Sequence, residues 1–253
     1  MWHHLMKIEN TRLLHSYIDK EIKPNANQVS LVWFDFAHLQ PHINTFQAFL
    51  CEEEIKRCEK FYNQRLKNNY SIARGLLRLL ISEIVDIDPG VIVFSYNDYG
   101  KPFLKIEDAS LHFNVSHSFQ KVAYAFSCDR LVGVDIEYQN PLKDIINLAK
   151  VICTDEEYIF LKNLPLAEKE HFFYKIWTGK EAFIKALGTG LSYPVTEVEV
   201  VSKGNISSCL FTNDSPRSVF SLFYFDVLPH YQIALAVQGK DIDVKVCTIG
   251  QPD

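Results

Sequence analysis

Glu181 stands four residues before Lys185 in the run WTGKEAFIKALGTGL, residues 177–191. On a helix, residues four apart share a face, and an acid on the N-terminal side of a base is the favoured order. About forty residues earlier come Asp135 and Glu137, in Gly133-Val134-Asp135-Ile136-Glu137. Acids at i and i+2 on a strand point to the same side of its sheet. If the two groups converge, they make an oxygen-rich site with an ammonium at its edge. Two carboxylates about 4 Å apart repel by roughly 4 kcal/mol at an effective dielectric of 20, so they must share a proton or hold a cation. An all-oxygen set with no clustered His or Cys suits Mg²⁺, with Mn²⁺ as the alternative, and Mg²⁺ keeps phosphate oxygens and waters among its ligands. Each pair also has a plainer reading. Glu181 and Lys185 could be a solvated ion pair, and Asp135 and Glu137 could be outward positions on an exposed strand.

A phosphate partner is suggested a second time by charge. The formal net charge is −5, which argues against a nucleic-acid binder. Yet between Lys56 and Arg78 the sequence places seven basic residues (Lys56, Arg57, Lys60, Arg65, Lys67, Arg74 and Arg78) against one acid, Glu59. Positive charge concentrated in one segment of an acidic protein points to a local anion, although a solvated helix face is the ordinary meaning of such a run. Gly100-Lys101-Pro102 offers another cation on a turn, and Ser116-His117 a further pair of hydrogen-bonding groups. There is no Walker A loop and no GxGxxG.

The elements that must position these residues can be read from periodicity. At 100° per residue over 168–187, Phe173, Ile176, Trp177, Phe183, Ile184 and Leu187 form a broad apolar arc. Gly179, Ala182 and Ala186 form a small-residue flank for close approach of another element, and Thr178, Glu181 and Lys185 fill the polar strip left over. Lys180 falls inside the apolar arc and needs a partner there. Thr154 with Glu157 predicts a capping box for a helix running to Leu164. Residues 29–36 read as a buried strand, 51–85 as one or two helices, and 142–151 as helical. Strands are expected at 91–96, 103–106, 111–118, 121–128 and 131–138. The tail is strand after strand, with turns at Lys203-Gly204-Asn205 and Asn213-Asp214-Ser215-Pro216. Both halves run helices and then strands, and ARGLLR and KEAFIK occupy comparable places, which hints at a duplication. The joint is placed near Ser127–Leu131. The resulting division is an α+β half at 1–130 for nucleotide contacts and an α+β half at 131–253 carrying the metal site, with a cleft between them as the ligand location.

With 47% hydrophobic residues and 13% aromatics, the 253-residue chain can build a core. Its six cysteines show no CxxC pairing and read as reduced thiols in a cytoplasmic protein, with neither zinc nor a disulfide framework. The N-terminus lacks a secretory pattern, and no apolar run reaches membrane-spanning length. His3 and His4 read as part of a polar terminus.

In order, GKP, FNVSHS, GVDIE and WTGKEAFIKALGTGLSYP resemble the surfactin-type 4′-phosphopantetheinyl transferases, whose W-x-x-KE-[AS]-x-x-K signature is matched residue by residue from Trp177 to Lys185. The resemblance runs from roughly Ile55 to Pro194 and implies a pseudo-dimer of two α+β halves with the site between them. The activity it implies is transfer of phosphopantetheine from coenzyme A to a serine of an apo acyl or peptidyl carrier protein, releasing adenosine 3′,5′-bisphosphate. Carried over by motif, Asp135, Glu137 and Glu181 would hold Mg²⁺, and Lys185 and Lys101 would contact the diphosphate. Asn114, Ser116, His117, Arg74 and Arg78 would serve the rest of coenzyme A, with His117 and Arg74 at its 3′-phosphate. Glu181 would be the base, with Lys185 or a metal-bound hydroxide as alternatives. A monomer is expected, because one chain would contain both halves. The competing readings are a non-catalytic coenzyme A or carrier-binding module, another Mg²⁺-dependent phosphotransferase, and a structural protein with solvated charge pairs.

Overall fold

The computed structural model describes residue 16 and residues 21–105, 111–203, 206–211 and 219–247. His3, His4 and the turns expected at 204–205 and 213–216 lie outside them. Strand β1 (Gln28–Asp35) opens the first half, and Asp35 then accepts from the Ala37 amide at 2.9 Å to cap the short helix α1 (Phe36–Leu39). Helices α2 (Ile43–Ala48), α3 (Glu52–Glu59) and α4 (Gln64–Val85) follow, so the segment read at 51–85 is two helices, the second capped by Asn63. Strands β2 (Phe94–Tyr96), β3 (Pro102–Leu104), β4 (His112–Ser118) and β5 (Lys121–Ser127) complete this half. The strand expected from 91 starts late for a physical reason. Arg78 collects the carbonyls of Pro89 and Ile92, which holds that stretch in a 3₁₀ turn rather than a ladder.

The second half repeats the plan. Strand β6 (Val132–Tyr138) leads to α5 (Ile145–Ile152), α6 (Asp155–Asn163) and α7 (Leu166–Leu187). Then come β7 (Val198–Lys203), β8 (Ile206–Phe211), β9 (Phe220–Leu228) and β10 (Tyr231–Gln238). With a last strand, β11 (Asp243–Val246), one sheet runs β11-β1-β5-β4, the other β6-β10-β9-β8-β7, and β2-β3 is a separate ribbon. That final strand leaves the second half and pairs parallel with β1. The expected two-half α+β pseudo-dimer is the observed architecture.

The repeat extends to chemistry. In each half a short helix carries its capping-box glutamate, Glu54 in α3 and Glu157 in α6. Each glutamate is ion-paired with a buried cation at the same place along a 22-residue helix, Arg78 at 2.8 Å and Lys180 at 2.6 Å. Lys180, the misfit of the apolar arc, thus has its partner and also donates to the Ile152 and Val195 carbonyls.

The strands at the centre are buried on both faces. Val32, Phe34, Val122, Tyr124 and Phe126 pack on α4, while Val29, Leu31, Ala123 and Ala125 turn the other way. There they meet Val132, Val134, Ile136, Ile233, Leu235 and Val237, forming an apolar layer between the halves. Burying each large aliphatic side chain is worth about 1.5–3 kcal/mol, so this layer is a strong joint. Because β6 gives its even positions to the joint, its odd positions, Gly133, Asp135 and Glu137, must face α7. Among the described residues, no helix is long and apolar enough to cross a membrane.

Candidate active site

Gly133 sets the distance between β6 and α7. A Cβ at this position would lie 2.0 Å from the Ala182 carbonyl oxygen and 2.3 Å from the Ala186 amide nitrogen. Only glycine permits that approach, and the small flank of α7 is what it meets. Two residues on, Asp135 is 2% exposed and accepts from Lys185 Nζ at 2.6 Å. Ser116 Oγ donates to the same Asp135 oxygen at 2.9 Å and accepts from Lys185 at 2.8 Å. Glu137 accepts from Ser118 Oγ at 2.8 Å and from the Trp177 indole. Glu181, one turn before Lys185, completes the group.

Electrostatics tie these residues together. Burial pushes the Glu137 carboxyl above its ordinary range, and the Asp135 charge pushes it further. Burial likewise raises Glu181; Lys185 opposes that rise, and Asp135 and Glu137 add to it. Asp135 Oδ2 and Glu181 Oε1 are buried with no hydrogen-bond partner. Among the described residues, no three His, Cys, Asp or Glu side chains are closed into a ready coordination sphere, and Lys185 supplies the positive charge. Two bare carboxylate oxygens beside a third carboxylate nevertheless make a donor set that fits a hard divalent cation.

β4 is held to β6 by side chains. Asn114 accepts from the Val134 amide at 2.9 Å, Ser116 from Ile136 at 3.4 Å and Ser118 from Tyr138 at 3.1 Å. Even positions of β4 therefore stitch the two sheet edges together, and odd positions turn toward α4. Val115 and His117 on that side line a cavity of about 240 Å³ with Arg57, Tyr70, Arg74 and Tyr96. Drug-sized ligand pockets run from about 300 Å³ upward, so this one suits the end of a larger ligand. Arg74 is fixed there by Glu54 at 2.5 Å, by the Tyr96 hydroxyl, and by the Phe94 ring 4.2 Å below its guanidinium. His117 stays open to solvent at the cavity mouth, and partial desolvation there lowers its pKa, as does the Lys185 charge, which links the cavity to the carboxylate cluster. Burial pushes Tyr70 up to about 12.

The structure thus gathers Asp135, Glu137, Glu181, Lys185 and Ser116 at one point and Arg74 and His117 at the adjoining cavity. It does not bring three other expected residues to either place. Arg78 is 1% exposed, with Glu54, Pro89 and Ile92 taking its donors. Burial alone would raise Glu54; Arg78 and Arg74 outweigh it and hold that carboxyl below its usual range. Lys101 donates to the carbonyls of Ala186 at 2.8 Å and Val132 at 3.3 Å, while its neighbours Gly100 and Pro102 line the cavity. Asn114 is a buried stitch between strands. Of the remaining basic segment, Lys56 pairs with Glu52 on an exposed helix face and Arg65 stacks on Phe119.

Sequence reasoning missed Ser118, although the alternation Asn114, Ser116, Ser118 was a period-two signal for it. The apolar arc predicts Trp177 in the core, and the structure leaves it half-buried against Glu137. Helical spacing puts Thr178 in the polar strip, yet it is fully buried, its hydroxyl turned back onto the Tyr174 carbonyl at 2.8 Å.

The model of the 4′-phosphopantetheinyl transferase superfamily matches residues 131–236, and that of the 4′-phosphopantetheinyl transferase N-terminal region matches residues 38–128. The chain is similar to 4′-phosphopantetheinyl transferase Sfp of Bacillus subtilis, 31% identical over 213 residues, covering 83% of this chain and 92% of that one. It is also similar to 4′-phosphopantetheinyl transferase HetI of Nostoc sp., 31% identical over 194 residues, covering 74% of this chain and 81% of the relative. A third relative, 4′-phosphopantetheinyl transferase gsp of Aneurinibacillus migulanus, is 36% identical over 152 residues, 60% of this chain and 62% of its own. The carboxylate–lysine cluster and the basic cavity are therefore features of an enzyme, and this chain belongs to the surfactin-type branch of the 4′-phosphopantetheinyl transferase superfamily.

Proposed function

We propose that the enzyme moves phosphopantetheine from coenzyme A to a serine hydroxyl of an apo acyl or peptidyl carrier protein, with Mg²⁺, releasing adenosine 3′,5′-bisphosphate. The observation that carries this reading is the junction of two unlike sites. Three carboxylates with a lysine adjoin a cavity walled by Arg57, Arg74, His117 and aromatic rings. A ligand with a diphosphate at one end and a phosphorylated nucleoside at the other matches both.

In this reading Arg74 and His117 hold the 3′-phosphate, and Tyr70 and Tyr96 offer ring faces and hydroxyls to the nucleoside. A dianion beside His117 favours its protonated form, reversing the effect of burial. Asp135, Glu137 and Glu181 would hold Mg²⁺, which when bound neutralises charge on the diphosphate. Lys185 stands on Asp135, ready to follow the negative charge that grows on the leaving phosphate. The serine oxygen forms a bond to the β-phosphorus, and the bond from that phosphorus to the bridging oxygen breaks. The leaving adenosine 3′,5′-bisphosphate takes the electron pair. The serine proton passes to Glu181, directly or through one water, because that carboxylate stands beside Lys185 where the reacting groups would meet. Most of the rate then comes from positioning and charge neutralisation.

One chain supplies both halves of the site, so the enzyme acts as a monomer. Cys51, Cys58, Cys128, Cys153 and Cys247 form no disulfide, which suits the cytoplasm. The test is direct. The protein is incubated with coenzyme A, Mg²⁺ and several apo carriers, and each carrier is weighed. A phosphopantetheine mass on a carrier serine, dependent on Mg²⁺, is expected. No gain on any carrier would overturn the reading.

A further inference from the structure

The turn from Asn97 to Lys101 touches both the cavity and the far end of α7. Asn97 Oδ1 accepts from the amides of Tyr99 at 3.1 Å and Lys101 at 2.9 Å, and Gly100 takes a positive φ of 83°, so the turn has one fixed shape. Its Gly100 and the adjoining Tyr96 and Pro102 line the cavity. Its polar ends point the other way. Asn97 Nδ2 donates to the Gly188 carbonyl at 2.7 Å, and Lys101 Nζ donates to the Ala186 carbonyl at 2.8 Å. The last carbonyls of a helix have no partners within it and carry partial negative charge, so a cation and an amide donor there are stabilising. Gly188 ends α7 with φ of 74°, and a Cβ on it would lie 2.8 Å from Lys101 Cδ, so the lysine stem fits closely over the helix end. Lys185 sits in that same last turn, immediately before Ala186.

We propose that Asn97 and Lys101 are positioning residues. They form a helix cap that one half of the molecule supplies to the catalytic helix of the other. This cap keeps Lys185 in register with Asp135 and ties that register to occupancy of the cavity. The inference rests on the proposed reading that the cavity takes the nucleotide end of the donor. It assigns Lys101 to the helix end and not to the diphosphate. A ligand packed on Gly100 and Pro102 adds to the hydrogen bonds that already hold the turn, and the turn steadies the end of α7.

Two variants separate this role from ligand contact. Asn97→Asp keeps the acceptor for the Tyr99 and Lys101 amides and removes the donor to Gly188. Lys101→Met keeps the stem and removes the cation. Transfer kinetics with varied coenzyme A are measured alongside calorimetric binding of adenosine 3′,5′-bisphosphate and hydrogen exchange at residues 186–190. Each variant is expected to lower kcat about tenfold or more, since small misplacements of a catalytic group cost rates of that order. The KM for coenzyme A and the affinity for adenosine 3′,5′-bisphosphate are expected to stay within about threefold, exchange at 186–190 to speed up, and Lys101→Arg to restore part of kcat. Binding of adenosine 3′,5′-bisphosphate slows exchange at 186–190 in the parent protein and not in Asn97→Asp. Weakened binding with kcat retained, or no change in kcat, would overturn the proposal. If Lys101→Met does not fold, Asn97→Asp decides. If the parent transfers nothing to any carrier, the functional reading fails, and the exchange measurements still test the cap.

Discussion

Lys180 and Lys185 stand on one helix, and burial gives them different tasks. Lys180 is fully buried and spent on Glu157 and two carbonyls; Lys185 is partly exposed and touches Asp135 and Ser116. Removing one partner of a buried ion pair strands the other charge, at a cost of about 3–5 kcal/mol. Lys180→Met and Arg78→Met should therefore each lower the denaturant midpoint strongly, and adding Glu157→Gln to Lys180→Met should recover much of the loss. A Lys180→Met protein as stable as its parent would contradict the assignment. The cluster residues separate stability from activity. Glu181→Gln relieves a crowded carboxylate, so stability should hold or rise, whereas Asp135→Ala takes the acceptor from Lys185 and Ser116 and should lower stability; in both, transfer falls by about 10²–10³ or more. Their thermal stabilisation by Mg²⁺ should disappear as well, and transfer within tenfold of the parent would remove either residue from the site.

At the scale of elements, the site depends on how closely β6 lies against α7. Gly133→Ala forces its new methyl into the backbone of Ala182 and Ala186, which cannot yield as a flexible side chain would. Loss of several kcal/mol, or a shifted helix with transfer lost, is expected, measurable by unfolding and by activity of the folded fraction. The Lys101 cap has a pH signature of its own. Burial lowers its pKa to about 8 from the ordinary 10.5. Between those values the unfolded chain binds the proton more tightly than the folded one, so unfolding free energy rises with pH through this window. Lys101→Met should flatten that rise relative to the parent across pH 8–10.5, read from denaturant midpoints at each pH. A parallel pair of curves would mean that the buried ammonium is not what titrates.

For the whole molecule, the repeat of two α+β halves is the organising feature. Two helix-then-strand halves present sheet edges to each other, with Asn114, Ser116 and Ser118 completing by side chain what a backbone ladder would otherwise provide. The second half then sends β11 back to β1, tying the end of the chain into the first sheet. Folding should accordingly be one cooperative event. Ending the chain at residue 242 removes the β11 ladder and exposes the edge of β1. This should lower the midpoint of the whole protein and not of one half alone. Two resolved unfolding transitions in the full chain would show that the joint is weaker than its apolar layer suggests.

Local and paired features of the site are legible in the amino-acid sequence. Period 3.6 around Glu181 and Lys185, period two at Asp135 and Glu137, the capping box at Thr154 and the stop at Gly188 are set by neighbours a few residues away. The carboxylate cluster followed from them once the two elements were assumed to meet. Contacts between distant elements set which cations line the cavity. Arg74 and Arg78 are four apart on one helix and alike in type, yet Glu54 and the carbonyls of Pro89 and Ile92 bury Arg78, while Arg74 keeps a wall of the cavity. Lys101 reads from its turn as a solvent-facing cation, and only the arrival of α7 from the other half gives it carbonyls to bind. A charge takes its role from the desolvation and partners around it. Those partners lie on elements distant in sequence, where no local pattern records them.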